Sequence, residues 1–91
     1  MAYATPRNES TKKEWEKCKT KRDRILCILN SGRPHSSMML DMDTDETSCA
    51  PVIGGFIVYP DKDLKNYDSN KEAKDVAVKI YEELLDQLKT E

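Results

Sequence analysis

The stretch that most constrains the fold is residues 38–60, because strand character is confined to it and a charged helical pattern lies on either side. In its first part, apolar and acidic residues alternate with a period of two, and successive side chains of a strand point to opposite faces of a sheet. One face carries Met38, Leu40, Met42 and Thr44, and the other carries Met39, Asp41, Asp43 and Asp45. The pattern predicts that the methionines and the leucine face a core and that the aspartates form a ladder in solvent.

A second strand is predicted over residues 52–59, which are apolar on both faces. Strands of this kind are normally covered on both sides. Two adjacent glycines, Gly54 and Gly55, interrupt the run. Paired glycines inside a strand indicate a bulge, or a place where another backbone or a ligand approaches closely. The polar residues 46–50 are predicted to link the two strands.

A helix is predicted over residues 11–30. Thr11 and Glu14 have the spacing of a capping box, in which each side chain satisfies an amide at the start of the helix. Apolar residues then recur at helical spacing, and the pattern ends near Gly32. Residues 25–29 are apolar on every side, so a buried strand after a shorter helix is the alternative. The helix is the favoured interpretation.

A further helix is predicted over residues 70–89, with Ser69 and Glu72 as its capping box. Its apolar residues are Ala73, Val76, Ala77, Val78, Ile80, Tyr81, Leu84, Leu85 and Leu88. At about 100° per residue they cover an arc of roughly 200°, which is wider than the stripe that a surface helix needs. The excess predicts either a partner helix from a second copy of the chain or cover by the first helix.

These elements follow in the order α-β-β-α, which predicts a small single α+β domain with an antiparallel hairpin packed against two helices. Residues 1–9 are expected to be a flexible arm and residues 10–91 the domain. A lone hairpin is marginal in water, so we expect a homodimer that completes the sheet. The expected interface consists of Ile53, Ile57, Tyr81, Leu85 and Leu88.

Charge is distributed unevenly along the 91 residues. Residues 1–37 hold nine basic and four acidic residues, a balance of +5, whereas residues 38–91 hold six and thirteen, a balance of −7. Such asymmetry favours contact between copies or two differently charged faces for partners. An odd number of cysteines without tight spacing, no signal-peptide pattern and no long apolar run predict a reducing, cytoplasmic location.

The acidic residues of the first strand are the leading candidates for a site. We expect Asp41, Asp43, Asp45 and Glu46 to form a surface that engages a protein partner rich in arginine or lysine. Three of the aspartates also match the first ligands of a calcium loop. Glu46, however, stands where such a loop requires glycine, and Val52 stands where it requires glutamate. No metal and no cofactor are predicted.

Two other uses of the chain remain open. Lys17, Lys21 and Arg24 on the first helix could contact the phosphates of a nucleic acid. The tyrosines together with Gly54 and Gly55 could instead line a site for a small ligand such as a nucleotide, shared between copies.

Catalytic patterns are missing from the sequence. It holds one histidine, His35, and no acid or cysteine at a spacing that would make it part of a nucleophile pair or a zinc site. The sequence therefore predicts a non-enzymatic binding or regulatory protein that works by occupying another protein's surface. Small inhibitors and accessory factors of viral or mobile-element type act in this way.

Overall fold

Three helices lie on one face of a four-stranded antiparallel sheet in the computed structural model, which describes residues 3–61 and 65–90. The elements are β1 (Tyr3–Pro6), α1 (Glu9–Lys17), α2 (Lys21–Asn30), β2 (Pro34–Asp41), β3 (Glu46–Ile53), β4 (Phe56–Tyr59) and α3 (Asn70–Lys89). The strands lie side by side in the order β1-β4-β3-β2. The predicted α+β class is confirmed, but the order of elements is β-α-α-β-β-β-α rather than α-β-β-α.

The N-terminal segment is a strand where a flexible arm was predicted. β1 pairs with β4, with Tyr3 opposite Tyr59. The backbone amide of Arg7 then donates to the carbonyl oxygen of Gly55 at 2.9 Å. Asn8 follows directly and caps α1, because its Oδ1 accepts from the amide of Thr11 at 2.8 Å. The helix therefore begins at Glu9, and Thr11 is not its cap.

The long first helix of the prediction is two helices. α1 ends at Lys17, and extended backbone at Cys18 and Thr20 separates it from α2. Thr20 caps the second helix, since its Oγ1 accepts from the amide of Asp23 at 3.1 Å. The break redirects the chain so that Trp15 of α1 and the buried residues of α2 both pack on the sheet. Residues 25–29 are helical, as favoured from the sequence.

The central hairpin is formed by different residues from those predicted. β2 begins at Pro34 and pairs along its whole length with β3, so residues 46–50 are strand rather than a polar link. A four-residue turn, residues 42–45, joins them, and Asp45 adopts a left-handed conformation there with φ of 58°. Residues 38–41 therefore pair with residues 46–49 rather than with the predicted second strand, residues 52–59. The start of β3 was not predicted from the sequence, because its first three residues carry no apolar side chain.

The glycine pair turns the chain between β3 and β4, so residues 52–59 are not one strand. Ile53 and Phe56 pair across this two-residue turn, and Gly54 has a φ of 55°. A side chain at Gly54 would collide with the backbone of Ser31 and Gly32. The prediction that another backbone approaches closely here is therefore confirmed, and the approaching backbone belongs to the end of α2.

The core lies between the sheet and the helices. It is built from Ile25, Ile28, Ile53, Phe56, Val58, Ile80 and Leu84. The partly buried ring of Trp15 packs against Phe56 with ring centroids 5.1 Å apart. Helix α3 occupies the predicted range, and Ser69 Oγ accepts from the Glu72 amide at 3.2 Å as its cap. Within the described residues, no helix combines the length and the hydropathy needed to cross a membrane.

The wide apolar arc of α3 is largely covered inside the chain itself. Its centre is buried against the sheet, and Val76, Tyr81 and Leu88 pack at the margin of the same core. Helix α2 contacts α3 there. Leu85 is the exposed large apolar residue of this helix, at 36%. The sheet covers most of the arc, and cover by the first helical region, the second of the two explanations, is limited to α2 at its margin.

Candidate functional site

The hairpin of β2 and β3 projects beyond the layer of helices. Helix α3 begins beside it, where Oδ1 of Asn70 accepts hydrogen bonds from Ser36 Oγ at 3.0 Å and from Cys49 Sγ at 3.2 Å. Strand residues farther along the hairpin have no turn of α3 above them. The molecule is accordingly elongated, with principal extents of 42, 25 and 21 Å. The part that projects ends in residues 42–46, named here the hairpin tip.

A stripe of exposed apolar side chains follows the projecting strand on the helix side of the sheet. Met38 is 64% exposed, Leu40 53% and Met42 84%. The sequence predicted these side chains in a core, and that prediction is wrong. The predicted alternation of the side chains between the two faces is present. Because α3 begins beside Ser36, it does not extend over the stripe. What results is an apolar surface in water.

The acidic residues gather at the hairpin tip instead of forming a ladder. Asp43 and Asp45 lie in the turn, and Glu46 is the exposed first residue of β3. Asp41 is the last residue of β2 and is paired in register with Glu46. Because a turn replaces the strand after Asp41, the period-two argument stops applying there. The predicted set of four acids is brought together, in a different geometry.

β2 lies at the edge of the sheet, and its pairing with β3 determines which of its backbone N–H and C=O groups point outward. In an antiparallel pair, alternate residues bond to the neighbouring strand and those between direct N–H and C=O groups away from it. Cys49, opposite Met38, exchanges both backbone bonds with Tyr67 on its far side, each at 2.8 Å. Met38 therefore turns its backbone groups outward, and by alternation so do Ser36 and Leu40. No described strand pairs with this edge.

Contacts on the face opposite the helices hold the hairpin in place. The hydroxyl of Tyr59 donates to Asn66 Oδ1 at 2.6 Å, and Asn66 Nδ2 donates to Ser48 Oγ at 3.0 Å. Burial raises the pKa of the Tyr59 hydroxyl, and the nearby Tyr67 adds to the rise. Both effects keep the phenol protonated, so it remains a hydrogen-bond donor. The strand beneath the exposed stripe is thus well anchored.

The basic residues proposed for nucleic acid are divided between two clefts. Lys21 and Arg24 share a cleft with Trp15, and the Arg24 guanidinium lies 5.0 Å from the centroid of the Trp15 ring. Lys17 lines another cleft and forms an exposed ion pair with Glu14 at 3.6 Å. These side chains therefore do not form one continuous row.

The glycine turn is filled by the protein itself. A Cβ atom on Gly55 would stand 2.5 Å from Oγ1 of Thr11, so the space a ligand would need beside the backbone holds a side chain. The adjoining cleft includes Cys18 and Cys27. Burial raises the pKa of the Cys27 thiol to about 11, with a further contribution from a hydrogen bond to Cys18. A thiol in this state is a weak nucleophile at neutral pH.

The described residues contain no cluster of three or more His, Cys, Asp or Glu side chains that could hold a metal ion. All three cysteines are free thiols. His35 is exposed on β2, and its Nδ1 lies 3.0 Å from the carbonyl oxygen of Arg33.

Comparison with protein-family models, with curated proteins and with solved structures finds no match to this chain. The features that sequence reasoning missed are the exposed apolar stripe and the outer edge of β2. The sequence signal for both was present in the alternation of residues 38–42, but it was assigned to the wrong environment.

Of the expected interface residues, Ile53 lies fully buried in the core and is not accessible at the surface. Ile57 is half-buried on the sheet face opposite the helices, paired in register with Val52. Tyr81 and Leu88 pack against the core, which leaves Leu85 as the exposed member of the set. Surface for a second copy is more abundant along β2 than along α3.

Proposed function

We propose that this chain is a small non-enzymatic binding protein, active as a homodimer, that regulates another protein by occupying its surface with the hairpin tip. The supporting observation is that the hairpin tip combines an exposed apolar side chain with an acidic turn. Met42, at 84% exposed, lies inside that turn next to Asp43. An apolar anchor with charged neighbours is the composition of a protein contact surface.

The partner that fits this surface has an apolar depression rimmed by arginine or lysine. Apolar side chains exposed in the free protein are removed from water on binding, which contributes about 25 cal/mol per Å². The acids add attraction at a distance and exclude partners with an acidic rim. The hydrogen bonds of Asn66 to Ser48 and of Ser36 to Asn70 fix the base of the hairpin, which limits the conformational freedom lost on binding.

The decisive experiment compares the wild-type chain with two charge variants of equal net charge. The tip variant replaces Asp41, Asp43, Asp45 and Glu46 by Asn and Gln. The control variant makes the same changes at Asp75, Glu82, Glu83 and Asp86, four exposed acids of α3. Each is immobilised, proteins are captured from an extract of the source cell, and candidates are then purified and their Kd values measured.

We expect a purified partner that binds the wild type and the control variant with similar Kd and binds the tip variant at least tenfold more weakly. Circular dichroism and the melting temperature should show that both variants are folded, since Asp43, Asp45, Glu46 and the four control acids are exposed. Equal binding of the two variants would refute the assignment of the tip. Equal loss in both would show that total charge, rather than this site, governs the interaction.

A further inference from the structure

We infer that β2 pairs antiparallel with β2 of a second copy of this chain, in the register that places Met38 opposite Met38. The inference rests on the proposed homodimer and is independent of the proposed protein partner. It identifies the surface that forms the dimer and the residues that meet across it. The interface expected from the sequence combined completion of the sheet with the α3 face, where Leu85 is exposed, so the β2 and α3 surfaces can be distinguished by experiment.

The two edges of the sheet differ in how well they are protected. β1, at one edge, has four residues and ends at Pro6. β2, at the other, has eight residues, and after Pro34 it contains neither proline nor lysine. Short length, proline and lysine are the usual protections against pairing with another chain. β2 therefore has the characteristics of an edge that accepts a strand.

Outward backbone groups select the register. The bond from the Gly54 amide to the Arg33 carbonyl, at 3.2 Å, continues the pairing of β2 with β3. It gives the same alternation as the Cys49 contacts and again leaves Ser36, Met38 and Leu40 pointing outward. Two copies related by a two-fold axis satisfy all these groups when Met38 lies on the axis. Leu40 of each copy then lies opposite Ser36 of the other.

Apolar side chains meet across the same axis. Residues directly opposite in an antiparallel pair share a face of the sheet. The exposed side chains of Met38 from both copies therefore become neighbours, and Leu40 moves next to the partner's strand. Met38 and Leu40, which are exposed to water in one chain, are thus covered by the second copy, and Met42 stays at the hairpin tip.

Charge favours this arrangement over the alternatives. Antiparallel pairing turns the acidic hairpin tip of each copy, including Asp43, toward the start of the second copy's β2, which the exposed Arg33 precedes. The arrangement repeats by symmetry, once at each end of the paired strands. A parallel pairing would instead place the two acidic tips side by side, which like charges oppose. The basic residue before β2 in one copy and the acidic tip after β2 in the other are therefore complementary in charge.

The test measures the monomer–dimer Kd by sedimentation equilibrium. Leu40→Pro removes an outward N–H without removing a bond to β3, whereas Leu40→Ala keeps the N–H and shortens only the side chain. We expect at least tenfold weaker association for Leu40→Pro and a smaller loss for Leu40→Ala. Leu85→Ser, on the exposed face of α3, should leave the Kd within twofold of wild type.

A charge exchange tests the register without placing proline in a strand. Arg33→Glu and Asp43→Arg should each weaken association by about tenfold, because each creates two like-charged contacts per dimer. The double variant should recover most of the wild-type affinity. A wild-type chain that stays monomeric up to millimolar concentration overturns both the dimer and this interface. A dimer that Leu85→Ser disrupts, or that both single charge variants leave unchanged, overturns the β2 interface alone.

Discussion

Gly54 is the residue at which a single methyl group should matter most. Its φ of 55° disfavours any side chain, and a Cβ would collide with backbone atoms of Ser31 and Gly32. Backbone atoms cannot move aside as a flexible side chain can. We expect Gly54→Ala to lower the free energy of unfolding by about 3 kcal/mol or more. Urea denaturation monitored by Trp15 fluorescence measures this change.

Gly55 supplies the matched control for that substitution. Its Cβ would meet the side chain of Thr11 rather than backbone, with Oγ1 at 2.5 Å. Gly55→Ala should therefore cost less than Gly54→Ala, and Thr11→Ala should recover part of the loss in the double variant. Equal costs for the two glycine substitutions would show that the close contact with Ser31 is not what limits the turn.

Cys27 provides a prediction about pH. Burial first, and then the neighbouring Cys18 thiol, raise the pKa of its thiol from 9.0 to about 11. The raised pKa means that less thiolate exists at any pH below that value, and the thiolate is the form that reacts. At pH 8 we expect alkylation of Cys27 by iodoacetamide about 100-fold slower than for a thiol of pKa 9.0. The rate should rise about tenfold per pH unit until roughly pH 11.

Peptide mapping by mass spectrometry assigns the alkylation rates to individual cysteines, and Cys27→Ser identifies the signal. A slow rate that does not change with pH would indicate blocked access rather than a raised pKa. Modification of Cys27 at pH 8 as rapid as that of a short cysteine peptide would contradict the effect of burial.

At the scale of elements, the sequence predicted what depends on local pattern. Helix α3 was predicted correctly, because a capping serine marks its start and apolar residues recur at helical spacing along its twenty residues. The helical state of residues 25–29 followed from the same periodicity. The break between α1 and α2 was missed, although Thr20 and Asp23 have a capping spacing of their own. Apolar residues recur at helical spacing across both helices, so the spacing gave no indication of the second cap.

The strands were predicted poorly, because a strand is stabilised by pairing with residues that are distant in the sequence. β1 is four residues long, and it is stabilised by β4 more than fifty positions away. β3 begins with polar residues that gain their strand conformation from pairing with β2. Propensity in strands reflects such neighbours more than the residue itself. The acidic residues of the candidate site were found from composition, whereas their place in a turn required knowledge of the pairing.

The two ends of the sheet differ in how well their apolar residues are protected from water. The end of the sheet near Gly54 is closed by helices and by the first strand, and the end near Met42 is open. Of the large apolar residues of the hairpin that are more than half exposed, Met38 and Leu40 lie on β2 and Met42 lies in the turn that follows it. A monomer of this kind keeps apolar surface in water unless something covers it. The proposed dimer would cover part of this surface, and it would link the stability of the fold to protein concentration.

That link gives a last prediction, which concerns the melting temperature. A dimer that does not form between unfolded chains stabilises the folded state by mass action. If the β2 interface forms, raising the protein concentration about 100-fold, through the range of the dimer Kd, should raise the melting temperature by several degrees, since a domain of this size shifts by roughly 4–8 °C per kcal/mol. Leu40→Pro should melt at a temperature that hardly depends on concentration. Leu85→Ser should retain the wild-type dependence, because its substitution lies outside the paired strands. A melting temperature equally independent of concentration in all three proteins would argue that the folded chain is a stable monomer with its edge strand open.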